Sequence, residues 1–191
     1  MAWIILGVFA LLFVFVALWL VGMYNGLVRR RVDCDNGWSQ IDVQLKRRYD
    51  LIPNLVETVK GYAAHERGTL DAVISARTRA VAVTSDAAHA QEKAQAENAL
   101  GQALGRLIAV AEAYPDLKAN ANFRQLSEEL TSTENKIGFS RQHFNDCVAT
   151  YEGARQTFPT NVVAGVFNFQ KRDYFKVDDE AVREAPKVKF T

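Results

Sequence analysis

The strongest constraint on this chain is a run without one charged side chain, AWIILGVFALLFVFVALWLVGMYNGLV, at residues 2–28. As a helix rising about 1.5 Å per residue it extends about 40 Å, enough to cross a hydrocarbon core of about 30 Å with some tilt. A cleaved signal peptide would show a Lys or Arg ahead of the apolar run, a shorter apolar region and a small-x-small cleavage site. Here Met1, Ala2 and Trp3 lead straight into the run, and Leu27 and Val28 precede the arginines. The segment is therefore expected to stay as a transmembrane anchor over residues 1–28. Trp3 at one end, and Trp19 and Tyr24 at the other, suit interfacial aromatic positions, although Trp19 fits equally well one turn deeper. Arg29, Arg30 and Arg31 follow at once, with no basic side chain ahead of the helix. The positive-inside rule then predicts a short N-terminus outside and a cytoplasmic remainder.

The 191 residues suit one domain plus this anchor. Lys and Arg total 23 against 22 Asp and Glu, a balance that argues against nucleic acid, whose phosphates want a basic surface. Cys34 and Cys147 are the two cysteines, and neither has metal-ligand spacing. They read as reduced core thiols. No repeat of solenoid length is present.

Beyond the anchor the chain reads as helix. In WSQIDVQLKRRYDLIPNLVETVKGYAAHE, residues 38–66, the apolar positions Ile41, Leu45, Tyr49, Ile52, Val56, Val59 and Ala63 recur at three- or four-residue steps, widened by Leu55 and Tyr62. Pro53 removes one amide and crowds the carbonyl of Tyr49, at a cost of roughly 3 kcal/mol. The expectation is a kink or short break there, or a new helix capped by Asp50. The triplet Lys46, Arg47 and Arg48 lies about 27 Å beyond Arg29 if the helix is continuous, well past a screening length of about 8 Å. It therefore reads as a solvated or ion-paired face rather than a lipid contact, with Asp42 set four residues before Lys46. Pairing of Arg47 or Arg48 with Glu128, Glu129 or Glu134 is a specific expectation. His65 and Glu66 do not make HExxH, because position 69 is threonine. Residues 65–68 read as a corner, residues 70–82 as helix, and residues 84–89 as a loop or cap region.

Residues 91–113 are alanine-rich, with Leu100, Leu104, Leu107 and Ala111 on one face, ending at Tyr114 and Pro115. Asn120 or Asn122 offers a cap for the next helix. There Phe123, Leu130, Ile137, Phe144, Tyr151 and Phe158 fall every seventh residue. Leu126, Thr133, Ser140, Cys147 and Ala154 stand three places after the first five. This is a coiled-coil-like seam that alternates large with mostly small residues, and it is expected to be core. His143 and Cys147 share a helix face at four-residue spacing, but a site needs three or four ligands, and His65, His89 and Cys34 are scattered along the chain. No metal, cofactor or catalytic residue is assigned. After Pro159 the character changes. Val162, Val163, Val166 and Phe167 suggest a short apolar helix, followed by an extended tail that docks on the bundle, a partner or the membrane surface.

These stretches together resemble the LemA family of bacterial membrane proteins. The likeness rests on YNGLVRRRV, DVQLKRRYDLIPNLVETVKGYAAHE, the pair Ala76 and Arg77, YPDLKANANFRQLSEEL, TENKIGFSRQHFND, and FPTNVVAGVFNF ahead of DYF. The resemblance implies an all-α protein: one N-terminal transmembrane helix, then a bundle of long antiparallel helices in the cytoplasm of the bacterial inner membrane. It carries no established activity or catalytic motif. A related branch is associated with magnetosome membranes. Cys34 stands where relatives more often have a small or polar residue, which favours a packing role.

The expected domains are the anchor at 1–28, the bundle at 29–158 and the tail at 159–191. The leading functional reading is a non-enzymatic scaffold or adaptor that touches lipid through its N-terminal helix and binds copies of itself or a membrane-protein client. The alternative is a membrane-associated hydrolase. Against it stand three unclustered histidines and the lack of GxSxG, P-loop and HExxH motifs.

Overall fold

A computed structural model describes residues 1–176. Among them the protein is all-α, with helices α1 (Ala2–Lys60), α2 (Arg67–Ala82), α3 (Ala90–Glu112), α4 (Pro115–Ala119), α5 (Ala121–Gln156) and α6 (Thr160–Val166). The tail beyond residue 176 lies outside the described residues.

The apolar run and the first bundle helix are one element. α1 is 59 residues long, which at about 1.5 Å per residue is close to 90 Å. Its N-terminal part is uncharged, and no residue before Leu27 is buried against the protein. From Leu27 onward the same helix buries a stripe through Cys34, Trp38, Ile41, Leu45, Ile52 and Val59. α1 and α5 form the long antiparallel pair, as Trp38 against Phe144 near one end and Tyr62 bonded to Asn120 at the other show. The α2–α3 hairpin packs beside them. Gly37 marks a close approach of this pair: a Cβ there would sit 3.3 Å from the Phe144 Cα.

Pro53 does not break α1, and Asp50 caps no new helix. The reason is tertiary. The Tyr49 carbonyl, which would have accepted the missing amide of Pro53, accepts from Arg77 Nε of α2 at 2.9 Å. α1 does end six residues before Glu66, at Lys60; turns fill residues 61–66 and α2 begins at Arg67. Lys93, 2% exposed, reaches across to the open end of α2, donating to the carbonyls of Ala80 at 2.8 Å and Val83 at 3.2 Å. A cation there satisfies orphan carbonyls and opposes the negative end of the helix dipole.

Pro115 both closes α3 and opens the short α4, where its missing amide costs nothing because first-turn amides have no helical partner. Asn120 is the cap of α5, accepting from the Phe123 amide at 3.0 Å. Along α5 the seam residues Phe123, Leu130, Ile137, Phe144 and Tyr151 are buried, joined by Val148. Phe158 departs from the seam: α5 stops at Gln156, the chain turns through a cis Phe158–Pro159 peptide, and the ring is 77% exposed.

α6 ends in a Schellman motif. Asn168 takes φ 54°, while the Phe169 amide bonds the Ala164 carbonyl at 2.9 Å and the Asn168 amide bonds Gly165 at 3.3 Å. Asparagine tolerates that left-handed conformation. The turn sends residues 169–175 back along the α1–α5 pair, where Phe169 and Phe175 are buried.

The bond from Arg77 to Tyr49 makes a prediction. Arg77→Leu should cost about 1–3 kcal/mol by orphaning the Tyr49 carbonyl. In a Pro53→Ala background the restored amide can take that carbonyl, and the same change should cost clearly less. Urea unfolding of the four variants measures the coupling; equal costs in both backgrounds would show the two residues independent.

Candidate functional site

Among the described residues ionisable groups gather at the centre of the bundle and at its end nearest the apolar segment. At the centre, Arg48 is only 3% exposed. Its guanidinium donates to Glu97 of α3 and to Glu134 of α5, and the Tyr49 hydroxyl donates to the same Glu97. The Lys93 ammonium lies 5.5 Å from the centre of the Tyr49 ring. Burial and the adjacent Glu97 carboxylate push the Tyr49 hydroxyl well above its ordinary range, so it is a fixed donor. Burial also lowers the Lys93 ammonium, against the attraction of Glu97 and Asp42. Two consecutive residues of α1 thus bond α2, α3 and α5.

The basic triplet is therefore not one solvated face. Arg48 points inward, because the spacing of Leu45, Ile52 and Val59 turns position 48 toward the core. Arg47 makes a partly exposed pair with Glu129 at 3.8 Å, while Glu128 stays exposed. Asp42 accepts a hydrogen bond from Ser85 in the loop after α2. Pairing of Arg47 and Arg48 with α5 acids agrees with the sequence reading. The third partner, Glu97, carried no signal in the sequence, because it sits in an alanine-rich helix like any surface glutamate.

At the other end, a polar cleft of about 450 Å³ lies between α1 and α5, bordered by Arg30, Asp33, His143, Asp146, Cys147 and Thr150. Cys147 Sγ is 3.8 Å from His143 Nε2. Burial, with Asp33 and Asp146 nearby, raises the Cys147 thiol above its ordinary value. That opposes the thiolate a nucleophile requires. Burial, followed by the neighbouring Cys147, lifts the Cys34 thiol to about 11. Both cysteines are free. His65 is exposed in the turn before α2, and His89 pairs with Asp86 at 2.7 Å, so the three histidines do not converge. Among the described residues no three His, Cys, Asp or Glu side chains group as a metal site.

Residues 169–175 are strapped across this same end. Asn145 of α5 grips Phe175 by both backbone groups, accepting from its amide at 2.9 Å and donating to its carbonyl at 3.2 Å. The Tyr151 hydroxyl donates to the Gln170 carbonyl at 2.7 Å, and Glu152 accepts from the Arg172 amide at 2.9 Å. Arg172 also pairs with Asp35 of α1 at 2.9 Å. The Phe175 ring, 1% exposed, packs at 5.9 Å from Trp38 and under the Arg141 guanidinium at 5.1 Å.

Arg48→Met leaves the Glu97 carboxylate buried without its cation and should cost about 3–5 kcal/mol. Adding Glu97→Gln, which keeps an acceptor for Tyr49 but removes the charge, should recover much of that loss in thermal unfolding. Glu152 supplies the pH dependence. Burial alone would raise its carboxyl, but bonds from Arg155, the Arg172 amide and Gln156 outweigh burial and hold it below its ordinary 4.5. Its stabilising contribution is thus complete above that value and is lost as pH falls through the lower folded value. Hydrogen exchange corrected for intrinsic rates should show the Arg172 amide losing protection in that acid range, and at neutral pH in Glu152→Gln. Unchanged protection in both would show that Glu152 does not hold the strap.

Comparison with known proteins accords with this architecture. The model of the LemA family matches residues 37–190. The magnetosome protein MamQ of Magnetospirillum gryphiswaldense is 25% identical over 174 residues, covering 80% of this chain and 64% of that protein. The magnetosome protein MamQ 2 of Paramagnetospirillum magneticum is likewise 25% identical over 175 residues, with 80% and 64% covered. This chain thus spans less than two thirds of the length of those relatives. Protein LemA of Metamycoplasma hominis is 28% identical over 157 residues, covering 82% of this chain and 68% of that protein.

Proposed function

Because the chain belongs to the LemA family, we propose that it is a non-enzymatic scaffold or adaptor, anchored in a bacterial inner membrane and presenting its bundle for self-association or for binding a membrane-protein client. The observation that carries this reading is the continuity of α1. The apolar segment and the bundle share one helix without a linker, and the hub at Arg48 and Tyr49 ties that helix to its three neighbours. A bundle joined this way is held at a set height and attitude above the membrane, which suits positioning of partners better than a tethered domain would. Arg29, Arg30 and Arg31 directly after the apolar run favour an outside N-terminus and a cytoplasmic bundle. The relatives named as magnetosome proteins support a place at a membrane. In this reading residues 1–28 are the anchor, residues 29–158 the bundle, and residues 159–191 a tail that docks on the bundle, a partner or the membrane.

Chemical cross-linking in native membranes, followed by purification and mass spectrometry, tests this. The expected result is a recurrent set of cross-links, between copies of the chain for a self-assembling scaffold or to one membrane protein for an adaptor. A chain that recovers no recurrent partner, while the purified protein turns over a substrate in a way that triple substitution of His65, His89 and His143 abolishes, would overturn the reading in favour of a hydrolase.

A further inference from the structure

We propose that α6, with Phe158 ahead of it and Phe167 behind it, is a second lipid contact that lies in the interfacial layer of the bilayer beside the anchor. Trp3 and Tyr24 are separated by about 32 Å of helix, close to a hydrocarbon thickness of about 30 Å, which sets their rings at the two boundaries. Leu20 and Val21 then lie about 5–6 Å to the hydrocarbon side of Tyr24. α6 is packed at that depth. Leu20, Val21 and Tyr24 of α1 and Val162, Val163 and Val166 of α6 line an apolar groove of about 470 Å³.

The groove is continuous with the naked surface of the anchor. Val162 is 55% exposed, Val166 73% and Phe167 58%. The run TFPTNVVAGVFNFQ at residues 157–170 contains no charged side chain. Charge begins again on the bundle side. The Arg31 guanidinium lies 5.5 Å from the Phe169 ring centre, and Arg29, Arg30, Lys171 and Arg172 stand nearby in sequence. Tyr24 stacks edge-on with Phe167 at 4.9 Å and with Phe169 at 5.5 Å, an aromatic layer between the apolar groove and the cations. Apolar side chains at acyl depth, aromatic rings at the boundary and cations at headgroup level form the profile of an interfacial lipid contact. The occupant of the groove is therefore an acyl chain of the membrane that holds the anchor, rather than a second copy of the chain.

The inference rests on α1 spanning the membrane, and the test separates the two. Full-length protein is reconstituted in phosphatidylcholine–phosphatidylglycerol vesicles, in a Cys34→Ala, Cys147→Ser background whose helix content is checked by circular dichroism. Leu12→Cys, Phe139→Cys, Val162→Cys and Val166→Cys are each labelled with a small fluorophore. The label at 166 should be quenched about twofold more by lipid brominated near the carbonyl end of the acyl chain than by lipid brominated near its terminus, and should be shielded from aqueous iodide. The label at 162 should follow it, that at 12 should prefer deep bromine, and that at 139 should respond to iodide alone. Lipid quenching at 12 with iodide quenching at 162 and 166 would overturn the proposal and leave the anchor standing. Shielding of 162 and 166 from both quenchers, with disulfides between copies when the same two variants are left unlabelled, would overturn it in favour of a second copy. Loss of lipid quenching at 12 would remove the anchor and the proposal together.

Discussion

The bundle depends on two neighbouring residues of one helix. Arg48 and Tyr49 lie midway along the part of α1 that follows the apolar segment, and between them engage Glu97 and Lys93 of α3, Glu134 of α5 and Arg77 of α2. A buried ion pair is weak evidence for net stability, since desolvation offsets most of its attraction. What it supplies here is register. An arginine at 3% exposure tolerates only the arrangement that brings both carboxylates to it, so sliding α3 or α5 by one turn would strand a charge in the core. Apolar contacts along a leucine- and alanine-rich seam discriminate such slips far less sharply.

The same hub explains how a proline persists inside a long helix. Pro53 frees the Tyr49 carbonyl, and Arg77 takes it. The proline thus converts an internal helix bond into a bond between helices. This gives physical content to two of the sequence stretches that mark the family resemblance, the proline in DLIP and the arginine after Ala76, which are far apart in the chain and meet in the fold.

The end of the bundle nearest the anchor is built differently. The loop that joins α2 to α3 meets α1 at Asp42, through Ser85. Residues 169–175 cover the turns of α1 nearer the apolar segment, held by Asn145, Tyr151 and Glu152 and by the burial of Phe175 against Trp38. The described chain therefore closes on itself next to the apolar segment, with α6 at the turning point.

Much of this was legible in the sequence because it is periodic. The anchor, the helix spacing in α1 to α3, the cap at Asn120 and five of the six seam residues of α5 follow from apolar steps of three, four and seven and from local capping chemistry. Local patterns could not show where the seam ends, since Phe158 keeps its spacing after the helix has stopped. Nor could they show that Arg48 differs from Arg47 and Lys46, or that Glu97 and Lys93 are buried. Those depend on what stands opposite each side chain, and a charged residue is legible as core only once its partner is in view. The sequence by itself determined an apolar helix long enough for a membrane, the all-α class and the faces that each helix must hide. Tertiary structure alone decided that α1 stays whole through Pro53, which charges become the hub, and that the segment after α6 straps the pair, because each of these requires groups from distant parts of the chain to satisfy one another.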